Sequence, residues 1–345
     1  MDPRSGGPHQ FVSNFIHVTK NKIKNKIIIN GKKKNDIHLS FYRNNRRSLY
    51  LFEVIINLTK IYLFFKQKQK LNKNIVLNIH GFYNFAPLFF SIFSKKKINW
   101  FIHEEIKKKY FFIFEIIGRR FNIFFLYDFN LIGLKKKSNF FIIKPSIDTN
   151  FWSIKKIKFY KNTFINVGNL NPLKNHNLLL NAASKIKYTI KIFIAGGRLY
   201  SHKAYYSNIL RSKKRIEKKS KTKIFLLGKL SKELIKKNLS LSEFFIMSSK
   251  SEGTPFALLE AMSCKKICII PKIKTLSKIF TNGFNGFYFK DNNVQSLSAV
   301  LVKVINLKKR NKTMIQKRAR KLVLERFSNK IFKKNIEKHF IYNYD

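Results

Sequence analysis

At 345 residues the chain exceeds what one hydrophobic core usually organises, so two domains are expected. Lys and Arg number 71 against 17 Asp and Glu, a net charge of +54, while 45% hydrophobic and 15% aromatic residues exclude a disordered basic tail. The residues in excess, Lys, Ile, Asn and Phe, share codons built almost wholly from A and T, so charge alone is weak support for nucleic-acid binding. The opening MDPRSGGPHQF has no apolar stretch of the secretory-leader kind. Runs KIIIN (26–30), NIVLNIH (74–80), INWFIHE (98–104) and NIFFLYD (122–128) read as buried strands, with helical patterns at 48–65 and 86–93. Residues 74–94 contain no Asp, Glu, Lys or Arg over 21 positions, long enough to span a bilayer. Asn78, His80, Gly81, Asn84 and Pro87 interrupt that run, and strand, loop and helix describe it better.

KPSIDTNFW (144–152) has a proline and little periodicity and reads as the linker. Beyond it TFINVG (163–168), IKIFIAG (190–196), KIFLLG (223–228), EFFIMSS (243–249) and KICIIP (266–271) read as strands. Helices are expected at 175–185, 205–219, 231–238, 256–263 and 294–307. Such alternation gives parallel βαβ units, hence an α/β fold of two Rossmann-like halves with a ligand cleft at the carboxyl ends of their strands. Expected boundaries are 1–147, 148–324, and a terminal helix in 325–345 that returns toward the first domain.

Cys264 and Cys268 are too few for a disulfide framework, pointing to a reducing compartment, and lack a second pair for zinc. They are expected to be structural, and no metal is expected. His80 is expected to be a structural histidine and His176 a surface residue; the Lys runs at 32–34, 95–97, 107–109 and 135–137 read as solvated, and the Phe clusters at 111–114 and 124–125 as core.

Three strand ends of the second half carry chemistry. INVGNLNPLKNHNLLLNA ends a strand on Gly168, whose lack of a side chain permits tight backbone, and offers Lys174 as a point charge to a phosphate. KIFLLGKL ends a strand on Gly228, where a flat base can lie against exposed backbone. FFIMSSKSEGTPFALLEAM passes from strand through a loop to a helix whose first N–H groups and dipole suit an anion. Glu252 lies beside that loop and Glu260 two turns along the same helix face, placed to accept hydrogen bonds from hydroxyls. The same spacing also allows a first-turn acid complementing the dipole, followed by an exposed helix glutamate.

With these residues in view, the E-x7-E segment followed by EAM resembles the retaining family 4 (group 1) glycosyltransferases of the GT-B fold. VGNLNPLKNHNLLLNA is similar to the family's donor-phosphate segment, IFIAGG and IFLLGKLSKE to its next strand ends, NGFNGFYF (282–289) to a glycine turn, and IIKPSIDTNFW to its interdomain segment. RSGGPHQFVSNFI and NWFIHEE resemble, more loosely, its glycine loop and a histidine strand end. The resemblance implies a retaining transfer from a nucleotide diphosphate sugar to a glycan or lipid-linked acceptor, in cell-envelope polysaccharide or glycolipid synthesis, with no cofactor and no metal. It implies Glu252 and His103 at the reacting sugar, Glu260 on the ribose, Lys174 on the diphosphate, and Gly6 and Gly7 approaching from the other domain. Gly168, Asn169, Gly228, Lys229 and the backbone at Gly253, Thr254, Pro255 and Phe256 complete the donor site it implies.

The sequence departs from the family pattern at three places. Asn169 stands where the family has an Arg, leaving Lys174 alone or with Arg198 or Lys250. Lys265 stands where it has a Gly, and Pro145–Ser146 where it has Asn-Gly. MDPRSGG is too short to supply the strand that precedes the family's glycine loop, so the first domain is expected to lack that strand unless the chain starts upstream. The expected location is cytoplasmic, with peripheral contact to an anionic inner membrane face. The rival readings are a basic nucleic-acid-binding protein, for which no RNP-like or helix-turn-helix pattern is present, and an inactive GT-B relative.

Overall fold

The computed structural model describes residues 139–340 apart from 155–158, 275, 278 and 280. Of the first 138 residues it describes 10, 11, 13–15, 17, 59, 63, 66, 77–80, 98–102, 108, 111, 112, 114 and 121–126. Gly6, Gly7, His103, the strand expected at 26–30, the helix at 86–93 and the question of a preceding strand lie outside the described residues. The chain divides into two compact units, one of Met1–Pro145 with Phe332–Asp345, the other Ser146–Ile331. Among the described residues no helix is long and apolar enough to cross a membrane.

The first unit holds a parallel sheet of β1 (Leu77–His80), β2 (Ile98–Ile102), β3 (Phe121–Phe125) and β4 (Phe140–Ile142), paired in that order. Large rings make its core: Trp100 stacks on Phe114 at 5.2 Å and Phe101 on Phe124 at 4.9 Å. Phe112 points away and is 57% exposed, so the expected core cluster at 111–114 is broken there. Buried Asn99 accepts from the Asn122 amide at 3.1 Å, a partnered polar group on neighbouring strands. At the chain's other end Phe332 sets its edge against Phe11 at 5.4 Å.

The second unit begins with β5 (Thr163–Val167) and α1 (His176–Ser184), then β6 (Ile190–Ala195), α2 (Lys203–Lys219), β7 (Thr222–Gly228) and α3 (Lys232–Leu241). It continues with β8 (Phe244–Ile246), α4 (Phe256–Ser263), β9 (Ile267–Pro271), β10 (Phe287–Phe289), α5 (Val294–Ile305) and α6 (Lys309–Arg326). The helix α7 (Asn329–Phe340) ends the described chain. The sheet is parallel throughout, in the order β10-β9-β8-β5-β6-β7. Its central strands are covered on both faces, which is why they read as unbroken apolar runs: every residue of β8 and β9 is buried. Right-handed crossovers in such a sheet place α1 and α2 on one face and α3 and α4 on the other. In keeping with this, α1 packs on α2 and α5, while α4 packs on α6 and β9. Phe164 of β5 stacks on Phe244 of β8 at 4.8 Å in the middle of the core.

Two local features differ from a plain reading of the sequence. The segment 144–152 is tied down: Asp148 accepts from the Asn150 and Phe151 N–H groups, both at 2.9 Å, and Arg320 of α6 donates to the Thr149, Trp152 and Ser263 carbonyls. After α4, Lys265, at the position where the resemblance leads one to expect glycine, takes a left-handed turn at φ 54°. A side chain there costs about 1–2 kcal/mol, partly offset because glycine loosens the unfolded chain. Lys265→Gly is therefore expected to raise stability by about 0.5–1 kcal/mol, read as a higher urea midpoint at unchanged slope.

Candidate active site

In an open parallel sheet, ligands settle where the strand order reverses, at the carboxyl ends of the two strands leaving in opposite directions. In the second unit that point lies between β5 and β8, the centre of its order. The two strand ends there carry Gly168–Lys174 and Met247–Glu252, two of the three segments singled out from the sequence. The backbone laces them together: Lys250 N–H donates to Leu173 O at 2.8 Å, and the Ser248 hydroxyl to Lys174 O at 2.8 Å.

Lys174 closes a short 3-10 turn, Pro172–Lys174, whose Asn171 side chain accepts from Lys174 N–H at 3.1 Å. Its side chain runs past Gly168, where an added Cβ would sit 3.4 Å from Lys174 Cδ and Cε. Its Nζ meets Glu252 Oε1 at 2.7 Å, joining positions 78 apart in sequence. The Glu252 side chain is 6% exposed and the Lys174 side chain 27%, so the carboxylate is shielded while the lysine is partly open to solvent. Glu260 is also buried, at 5% exposure, which removes the arrangement with an exposed helix glutamate.

Of the four loop positions expected to offer backbone N–H groups, two do not. Pro255 has none, and the Phe256 N–H turns back to Thr254 O at 2.9 Å. Gly253 and Thr254 remain, and among the described residues neither N–H has a protein acceptor. The Thr254 hydroxyl is buried there without a partner.

The neighbouring strand ends complete the floor. An alanine Cβ at Gly196 would fall 1.9 Å from Gly168 O, so β5 and β6 touch backbone to backbone beyond their last ladder bonds. Asn169 uses its side-chain oxygen to accept from Gly197 N–H at 3.2 Å, a structural duty. Gly228 turns at φ 68° with open space on its Cβ side, and its carbonyl accepts from Gly196 N–H at 2.8 Å. Lys229 and Lys250 are exposed, whereas the Arg198 guanidinium lies 5.2 Å from the Tyr206 ring centroid.

His176 is a correction. It is fully buried rather than on the surface. Helix α1 has no N-cap side chain of its own, because Asn175 sits in the left-handed region at φ 47°. Tyr205 supplies the cap from α2: its hydroxyl oxygen accepts from His176 N–H at 2.8 Å and lies 3.4 Å from His176 Nδ1. Sequence reasoning missed Tyr205, Gly196 and Gly197, and only the GG pair left a local signal. Burial, with a smaller push from the Lys174 charge, lowers the His176 pKa from 6.5 to about 4. The unfolded chain therefore takes up a proton first as pH falls below 6.5, and stability declines until pH 4. From pH 7.5 to pH 5 this group is expected to remove about 2 kcal/mol. Urea unfolding of His176→Phe should lose correspondingly less stability than wild type over that range; equal losses would contradict it.

Among the described residues no three His, Cys, Asp or Glu side chains gather as a metal-binding set. Cys264 and Cys268 are free and buried, and burial pushes the Cys264 thiol up to about 12.

Residues 150–321 match the family model described as glycosyl transferases group 1. An uncharacterised glycosyltransferase of Methanocaldococcus jannaschii is 27% identical over 148 residues, 43% of this chain and 39% of that protein. A UDP-Gal:alpha-D-GlcNAc-diphosphoundecaprenol alpha-1,3-galactosyltransferase of Escherichia coli is 29% identical over 181 residues, 48% of this chain and 44% of that one. The chain thus matches less than half the length of either relative. A glycosyltransferase from Rickettsia africae has TM-score 0.76 and 16% identity, over 98% of this chain and 95% of that one. Anabaena HepE, solved in complex with UDP and glucose, has TM-score 0.76 and 13% identity, over 98% of this chain and 97% of that one. These likenesses show the fold, GT-B, with two Rossmann-like parallel sheets.

Proposed function

Because its second unit belongs to the group 1 glycosyl transferases, we propose that the chain moves a sugar from a nucleoside diphosphate sugar to a hydroxyl of a glycan or lipid-linked acceptor. The observation that carries this is the Lys174–Glu252 pair at the point of strand reversal, a cation for a phosphate beside a carboxylate for a sugar hydroxyl. Glycosyl transfer builds negative charge on the departing diphosphate and positive charge on the anomeric carbon. Fixed donors at the leaving group therefore supply the main stabilisation. Lys174 and the N–H groups of Gly253 and Thr254 are those donors. Glu252 accepts from the transferred sugar, buried Glu260 from the ribose, and the base lies over the exposed Gly228 backbone. Transfer proceeds with retention and without a metal or cofactor; the parts expected of His103, Gly6 and Gly7 fall outside the described residues.

The nucleotide is uridine, in line with the UDP in the HepE complex and the UDP-galactose named for the Escherichia coli relative. That relative's acceptor, a diphosphoundecaprenol, favours a lipid-linked acceptor and a place in envelope synthesis at the membrane surface. A thermal-shift screen with UDP-, GDP- and ADP-sugars tests this. A ligand at a hundred times its Kd adds about 2.7 kcal/mol, so a clear rise in Tm is expected with UDP-sugars. No rise with any of the three contradicts the proposed function. The anomeric configuration of the product linkage, read by NMR, tests retention.

A further inference from the structure

We propose that Glu252 is an internal competitor for Lys174, letting the site tell the intact donor from the spent nucleoside diphosphate and helping to eject the latter. This rests on the proposed transferase function. The ammonium of Lys174 is held by the Glu252 carboxylate at 2.7 Å, so the two charges offset one another. The partners differ in their freedom. Glu252 sits in a loop pinned by the Lys250–Leu173 backbone bond, with its carboxylate shielded; Lys174 has a fixed backbone and a long side chain that runs past Gly168 and is 27% exposed. A phosphate therefore engages Lys174 by drawing the ammonium off Glu252.

A shielded carboxylate stripped of its cation is costly unless other donors reach it. A nucleoside diphosphate sugar brings them, because its sugar hydroxyls donate to Glu252 while its phosphates take Lys174. A bare nucleoside diphosphate takes the lysine and gives the carboxylate nothing, and it sets phosphate oxygens near an unpaired negative charge. Once the sugar has left with the acceptor, Glu252 reclaims Lys174 and the diphosphate loses its main cation.

Calorimetric titration of the full chain with UDP and with UDP-glucose tests this in wild type, Glu252→Gln, Glu252→Ala, and the Lys174→Gln and Lys174→Gln/Glu252→Gln variants. Removing the competing charge is expected to tighten UDP binding about tenfold, while preference for UDP-glucose over UDP falls toward equality. The gain should appear with either replacement of Glu252 and vanish in the Lys174→Gln background. UDP binding that is unchanged or weaker in both Glu252 variants, with wild type binding normally, overturns the competitor role alone. Absence of UDP and UDP-glucose binding in wild type overturns the proposed function and the competitor role together.

Discussion

Lys174→Ala is expected to lower kcat/KM for sugar transfer by about a hundred- to a thousandfold, the usual loss when one preorganised donor to a leaving group is removed. The same substitution leaves Glu252 shielded and without its cation. A fully buried pair broken this way loses about 3–5 kcal/mol; the Lys174 side chain is 27% exposed, so water screens part of that. A stability loss of about 1–2 kcal/mol is expected, against a far larger effect on rate. Release of the nucleoside diphosphate, followed at saturating acceptor, measures the first, and urea unfolding the second. Activity within a few fold of wild type would remove Lys174 from the reaction.

Gly196→Ala is expected to unfold or severely weaken the second unit. The new Cβ would lie 1.9 Å from the Gly168 carbonyl oxygen, which is backbone and has no rotamer to yield. Separating the ends of β5 and β6 would also strain the Gly168 N–H to Ala195 O and Leu170 N–H to Gly197 O bonds, at 2.9 and 3.0 Å. Overpacking usually costs about 1–3 kcal/mol, and a clash against backbone that cannot yield belongs at the top of that range or beyond it. Gly228→Ala is the internal control: its backbone is left-handed but its Cβ side is empty, so about 1–2 kcal/mol is expected there. Urea midpoints for both variants decide it, and equal losses would show that the close approach is not what constrains Gly196.

The strand ends were legible because parallel strands buried on both faces leave unbroken apolar runs, as ICIIP and TFINV do. Two short edge strands were not: β4 and β10 have three residues each, and β10 falls inside the 282–289 segment read as a glycine turn. Helix α6 buries Ile315, Ala319 and Val323, a stripe too narrow to stand out from KRNKTMIQKRARKLVLER. The sequence placed Glu252, Glu260 and Lys174 near one another in kind, but not the ion pair, because a contact across 78 positions has no local signature. His176 was misread for the same reason: its burial depends on Tyr205, 29 residues away. Pro255 was legible and overlooked, since a proline cannot offer an N–H.

The central claim is that a nucleoside diphosphate sugar binds at the carboxyl ends of β5 and β8. Amide hydrogen exchange on the full chain, with and without UDP-glucose, tests it most directly. Protection within the second unit mainly at residues 168–175, 228–229 and 248–257 is the expected result. Binding that protects neither 168–175 nor 248–257 would contradict it.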